Sequence, residues 1–162
     1  MSIYIFCRPI RSGKTTELIK WCNGRENVAG IVMPDVDGSR KIFDLATKAI
    51  FDIEHTGAGY TGEPLISIGR FHFYSKAFDK ANEILLGALE KYPRWLIIDE
   101  AGKLELEGKG FYPSIQQAIA WHDQQAGKAN LLITVRENLC TVIIHHFRLH
   151  HYQFINNLEK LA

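Results

Sequence analysis

The chain has 162 residues, of which 46% are hydrophobic and 23% charged, and nineteen Lys and Arg set against eighteen Asp and Glu leave a formal charge of +1. This composition excludes a largely disordered chain, and a balance so near neutrality lacks the electrostatic footprint of a dedicated nucleic-acid binder. A globule of this length buries about 70% of its unfolded surface, enough for one core, so residues 1–162 are read as a single domain.

The apolar run Ile3–Phe6 is far too short for a signal core or a membrane span. As part of Ser2–Cys7 it predicts a buried strand. A Gly-containing turn and a helix over Thr15–Cys22 follow, stopping near Asn23-Gly24. Val28–Met33 is a second strand, closed by Pro34 and the turn-rich Asp35–Ser39. Lys41–Thr47 and Ala49–Glu54 alternate and predict a hairpin. His55–Pro64, with three glycines and a proline, reads as an exposed loop.

Ile66–Tyr74 resumes a strand pattern, and Ser75–Lys91 carries Phe78, Ala81, Leu85, Ala88 and Leu89 at helical spacing. Trp95–Ile98 is a fully apolar strand ending in Asp99-Glu100. A helix over Ser114–Gln125, a strand over Asn130–Val135 and a helix over Asn138–Phe147 complete an α/β domain with a β-rich insertion. Cys7, Cys22 and Cys140 have no CxxC spacing, so they are expected to be reduced thiols in a cytoplasmic protein, with Cys7 and Cys140 as small core residues.

Chemistry concentrates first at Ser12-Gly13-Lys14-Thr15-Thr16, between a strand and a helix. A P-loop needs backbone N–H groups turned onto phosphate oxygens, a lysine at the β- and γ-phosphates and a hydroxyl for Mg²⁺. The positive end of the following helix adds to the attraction. Some 85 residues on, Leu96–Ile98 delivers Asp99 and Glu100 at the carboxyl end of a buried strand, the edge where open α/β sheets bind ligands. There Asp99 suits the Mg²⁺ shell and Glu100 suits activation of an attacking water. Arg136 should emerge at the same edge after the strand 130–135, where it can meet a γ-phosphate.

Together with the loop, the segment Asp99-Glu100-Ala101-Gly102-Lys103-Leu104-Glu105 resembles the small P-loop nucleoside triphosphatases first described in thermophiles, the THEP type. Gly30-Ile31-Val32 and Ile68-Gly69-Arg70-Phe71 extend the likeness along nearly the whole chain. The resemblance implies a three-layer P-loop sandwich whose mostly parallel sheet has an added strand between the P-loop strand and the Asp-Glu strand, with a β-hairpin insertion. It also implies Mg²⁺-dependent hydrolysis of several nucleoside triphosphates to diphosphate and phosphate. Lys14 and Thr15 match the phosphate and magnesium positions, Asp99 and Glu100 the acidic pair, and Gly102, Lys103 and Glu105 the turn that follows.

The expected nucleotide cradle is therefore Arg8, Pro9, Ile10, Arg11, Ser12, Gly13, Lys14, Thr15 and Thr16, with Lys103 nearby; Lys14, Glu100 and Arg136 are the catalytic candidates and Thr15 and Asp99 the metal ligands. One departure stands out, Arg8-Pro9 where a glycine is usual. Pro9 has no N–H and Arg8 does not freely take positive φ, so the first half of the loop is expected to bind phosphate differently, with a guanidinium of Arg8 or Arg11 compensating. A small-molecule kinase, with an acceptor under the loop His55–Gly62, and a nucleotide-gated interaction module are the alternatives. Asp35, Asp37 and Arg40 read as a solvated turn, and His145, His146, His150 and His151 as a His-rich helix end without the donors to complete a metal site. No segment sets a base preference or an oligomeric state.

Overall fold

A computed structural model describes residues 2–57, 62–124 and 129–161. In chain order the elements are β1 (Ile3–Arg8), α1 (Lys14–Asn23), β2 (Val28–Val32), β3 (Asp35–Val36), β4 (Ser39–Asp44), β5 (Ile50–Asp52), β6 (Leu65–Ile68) and β7 (Phe71–Tyr74). Then come α2 (Ser75–Leu89), β8 (Trp95–Ala101), α3 (Lys103–Leu106), α4 (Tyr112–Gln124), β9 (Asn130–Arg136), α5 (Cys140–His146) and β10 (Tyr152–Ile155). Short 3₁₀ turns lie at Glu137–Leu139 and Leu158–Lys160.

The main sheet runs β10-β1-β9-β8-β2-β4-β3, with β5 paired to β4. Its first five strands are parallel, and β3, β4 and β5 form the antiparallel margin. β9 lies between β1, which leads into Gly13-Lys14-Thr15, and β8, which ends at the acidic pair. This is the added strand and the P-loop sandwich that the resemblance implies.

Strand alternation sends side chains to two cores. Ile3 and Ile5 of β1, with Leu96 and Ile98 of β8, pack under α2, α4 and α5. Phe6, Trp95 and Ile97 pack on the other face against Leu18 and Cys22 of α1 and Leu158 of the last 3₁₀ turn. Gly30 of β2 has φ +114°, and a Cβ there would stand 2.1 Å from the carbonyl oxygen of Ile97, so only glycine lets these strands pair.

The helical face predicted for α2 is buried at Phe78, Ala81, Leu85, Ala88 and Leu89. Ile66–Tyr74 is not one strand but a hairpin: β6 turns at Gly69-Arg70 and returns as β7, with Leu65 opposite Tyr74. The turn uses the positive φ of Gly69, and the apolar alternation shifts by one residue there, from Ile66 and Ile68 to Phe71 and Phe73, a signal that the single-strand reading passed over. Of the loop predicted over His55–Pro64, residues 58–61 lie outside the described residues, as does Gln125 at the predicted end of α4.

The cysteine expectation is overturned. Cys7, at the end of β1, and Cys140, opening α5, form a disulfide with their Cα atoms 6.6 Å apart. Sequence spacing cannot reveal a pair separated by 133 residues; the parallel pairing of β1 with β9 brings them together. Cys22 alone is free and buried, and burial pushes its thiol up to about 12.

Candidate functional site

Three segments converge at the carboxyl edge of the parallel sheet. The turn after β1 wraps toward α1, β8 delivers Asp99 and Glu100, and β9 ends at Arg136 directly opposite Arg8. Gly13, in a left-handed conformation with φ +79°, is the N-cap of α1. Its position puts Lys14 on the first turn, 8% exposed, with Nζ donating to the carbonyl oxygens of Arg8 at 3.2 Å and Pro9 at 2.9 Å.

Those two bonds account for the unusual loop start. Positions 8 and 9 give Lys14 their carbonyl groups, not N–H groups, and a proline carbonyl accepts as well as any other. Nor does the loop require positive φ at Arg8; that conformation falls on Arg11, at φ 55°. The Arg8 guanidinium is turned away into an ion pair with Glu17 of α1 and lies 4.9 Å from the ring centre of Phe6. The expected compensation by Arg8 is therefore not what its side chain does. Arg11, Pro9 and Ile10 are exposed along the loop, while Ser12 has a buried hydroxyl oxygen with no hydrogen-bond partner.

Asp99 is fully buried at the end of a strand that otherwise buries only apolar side chains. Its Oδ2 accepts from the Thr15 hydroxyl at 2.9 Å and the Met33 N–H at 3.0 Å, and its Oδ1 accepts from the Thr134 hydroxyl. Burial raises its carboxyl above the ordinary range, the neighbouring charge of Glu100 raises it further, and the three donors act against both. The same Thr134 oxygen accepts the Glu100 N–H at 2.8 Å. Thr134 thus holds both acidic residues in place from the added strand, a role that nothing in the apolar run Leu131–Val135 announces.

Glu100 stands at a register shift between β8 and β9 and has φ 65°. The bulge turns its side chain out of the sheet, where its carboxylate forms an ion pair with Arg40 of β4. Arg40, expected as part of a solvated turn, is instead brought into the site across the sheet. Asp35 keeps its turn role, its Oδ1 accepting the Gly38 N–H at 2.9 Å.

Glu105 is 2% exposed and does not reach toward the loop. Its carboxylate accepts the N–H of Gly102 at 2.6 Å and of Phe111 at 2.8 Å, bracing the turn after β8, and burial pushes its pKa up. Gly110 is the necessary partner: a Cβ there would sit 2.3 Å from Oε1 of Glu105. Lys103 is exposed at the start of α3.

Burial lowers the pKa of Lys14, and the charges of Glu100 and Asp99 act in the opposite direction. Lys14, Glu100, Thr134 and Arg136 line one cavity of about 180 Å³. Arg136 is half-buried and also borders a shallower hollow with Pro9, Ile10, Glu137 and Asn138. Among the described residues no group of three His, Cys, Asp or Glu is arranged to hold a metal, the four C-terminal histidines included.

An octahedral hard cation such as Mg²⁺ takes oxygen ligands and commonly only one or two from the protein. The hydroxyl–carboxylate pair Thr15–Asp99, one residue from the buried lysine, has that donor chemistry. No helix among the described residues is long and apolar enough to cross a membrane.

No protein-family model matches the chain, and no curated protein matches it by sequence. Two solved structures match the fold. THEP1 from the hyperthermophile Aquifex aeolicus superposes with a TM-score of 0.73 at 22% identity, over 99% of this chain and 92% of that one. A human cancer-related nucleoside triphosphatase gives 0.67 at 19% identity, over 96% and 87%. The chain resembles these proteins through nearly its whole length and shares their fold.

Proposed function

We propose that this protein hydrolyses nucleoside triphosphates such as ATP and GTP to the diphosphate and phosphate, with Mg²⁺ as cofactor. The observation that carries the reading is the convergence of Lys14, Thr15, Asp99 and Glu100 from two distant segments onto one sheet edge. The human fold relative is named a nucleoside triphosphatase, which agrees with it.

Lys14 supplies a charge to the β- and γ-phosphates from a helix N-terminus whose dipole also favours anions. Thr15 and Asp99 would hold the Mg²⁺, which when bound offsets the negative charge developing on the phosphate oxygens. Glu100 accepts a proton from the attacking water, and Arg40 fixes its carboxylate in place. Arg136, at the end of β9, meets the γ-phosphate and stabilises charge in the transition state. Most of the catalysis is positioning and electrostatics, as phosphoryl transfer requires. Nucleoside triphosphates are abundant in the cytoplasm, and on that ground we place the protein there.

The test is Glu100→Gln against Asp99→Asn in single-turnover phosphate release. Glutamine keeps the shape and can accept a hydrogen bond but takes no proton, so release should fall by ~10²–10⁴-fold with nucleotide affinity intact. Asp99→Asn should weaken Mg²⁺ dependence and turnover together. Release within threefold of wild type in Glu100→Gln would refute the water-activating role.

A further inference from the structure

The cavity of about 180 Å³ that Lys14, Glu100 and Arg136 border also takes in Ile68, Phe71, Phe73, Phe78 and Phe111, side chains for which neither a γ-phosphate nor an attacking water has a use. Part of its wall is aromatic. Phe71 and Phe73 stack at 6.2 Å, Phe73 meets Phe78 edge-on at 5.9 Å, and Phe78 meets Phe111 at 5.2 Å. A dry apolar cavity of about 150 Å³ is already enough to take up a benzene ring.

Arg70 and Lys103 bring positive charge to the lining. The guanidinium of Arg70 lies 5.1 Å from the Phe71 ring centre, and Lys103 stands exposed at the start of α3. Neither has an acidic partner among the described residues. The cavity therefore joins an aromatic wall, two positive charges without an acidic partner among the described residues, and the phosphoryl-handling groups.

We infer that the cavity is a second-substrate site for a small flat aromatic alcohol bearing an anionic substituent, which accepts the γ-phosphoryl group in place of water. The inference rests on the reading that the triphosphate lies on Lys14 with its γ-phosphate toward Glu100. The ring lies among the phenylalanines, the anionic group meets Arg70 and Lys103, and the hydroxyl lies at Glu100. In the transfer the alcohol oxygen bonds to the γ-phosphorus as the bond from that phosphorus to the β–γ bridging oxygen breaks. The hydroxyl proton passes to the Glu100 carboxylate, and the nucleoside diphosphate leaves. Hydrolysis is then what the site does when the chamber is empty.

The test uses 4-(hydroxymethyl)benzoate as probe and benzyl alcohol as its neutral counterpart. Binding is read by ligand-observed NMR with Mg·ATP present, and products by ³¹P NMR. The carboxylate probe should bind at millimolar concentration or better, a phosphate monoester should appear, and free phosphate should fall in proportion. Arg70→Ala should weaken the carboxylate probe about tenfold and leave benzyl alcohol unchanged. Ile68→Trp, which fills the chamber from the hairpin tip, should abolish ester formation while phosphate release to water continues. Phosphate release with no probe bound overturns the second-substrate site and leaves the hydrolase standing. A bound probe with no ester formed overturns the acceptor role, and failure to bind Mg·ATP at all overturns both readings together.

Discussion

Thr134→Val is the substitution on which the geometry of the site bears most directly. Valine has nearly the same shape, and the residue is fully buried, so packing is conserved. What is lost is one hydroxyl that donates to Oδ1 of Asp99 and accepts the N–H of Glu100. A bond to a charged group is worth ~1.5–3 kcal/mol and a neutral one ~0.5–1.5, so the fold should lose about 2–4 kcal/mol.

The loss has a pH signature. The Asp99 carboxyl is raised above its ordinary 3.8, first by burial and then by Glu100, so its contribution to stability is full below that ordinary value and declines as pH rises through the folded one. Thr134 is one of the donors that pull the value back down. Without it the folded value climbs further, so the variant falls away from wild type as pH rises and approaches it in acid. Urea unfolding in EDTA from acid to neutral pH measures this through the midpoint, with m unchanged. A deficit below 1 kcal/mol, or one that does not shrink in acid, would refute the assignment of Thr134 as the brace of both carboxylates.

Lys14→Ala should cost Mg·ATP one to two decades of affinity, read by calorimetry, since one charge-assisted contact of ~1.5–3 kcal/mol disappears. Arg40→Met should lower kcat about tenfold with little change in KM, because Glu100 loses its orienting partner; a raised KM with unchanged kcat would speak against positioning. Cys140→Ser, or dithiothreitol on the wild type, should cost about 2–5 kcal/mol in thermal unfolding because the disulfide closes a long stretch of chain. An unchanged Tm in both would show that the bond contributes nothing to the folded protein.

The strands and helices were readable wherever burial writes a period into the chain: Phe78 to Leu89 on α2, or the continuous apolar runs of β8 and β9, which are covered on both faces. The loop and the acidic pair were readable because their chemistry needs particular residue types in a particular order. What escaped depends on distance through space. Arg40 reaches Glu100 across 60 residues, Thr134 reaches Asp99 across 35, and Cys7 reaches Cys140 across 133. Pro9 departs from the motif for another reason. The motif is framed in terms of N–H groups on phosphate, while at this position the backbone serves the lysine through its carbonyl.

The left-handed backbone at Glu100 has a bearing on how the chain is free to evolve. A non-glycine residue in that region carries a penalty of roughly 1–2 kcal/mol, which glycine would relieve and asparagine would lessen. Drift toward thermal robustness alone therefore favours replacing the very side chain that faces Arg40 and the cavity. If Glu100 activates water as proposed, a lineage released from the need for turnover should lose this glutamate early and gain stability as it does so. Retention of the acid against that gradient is then a mark of continued use.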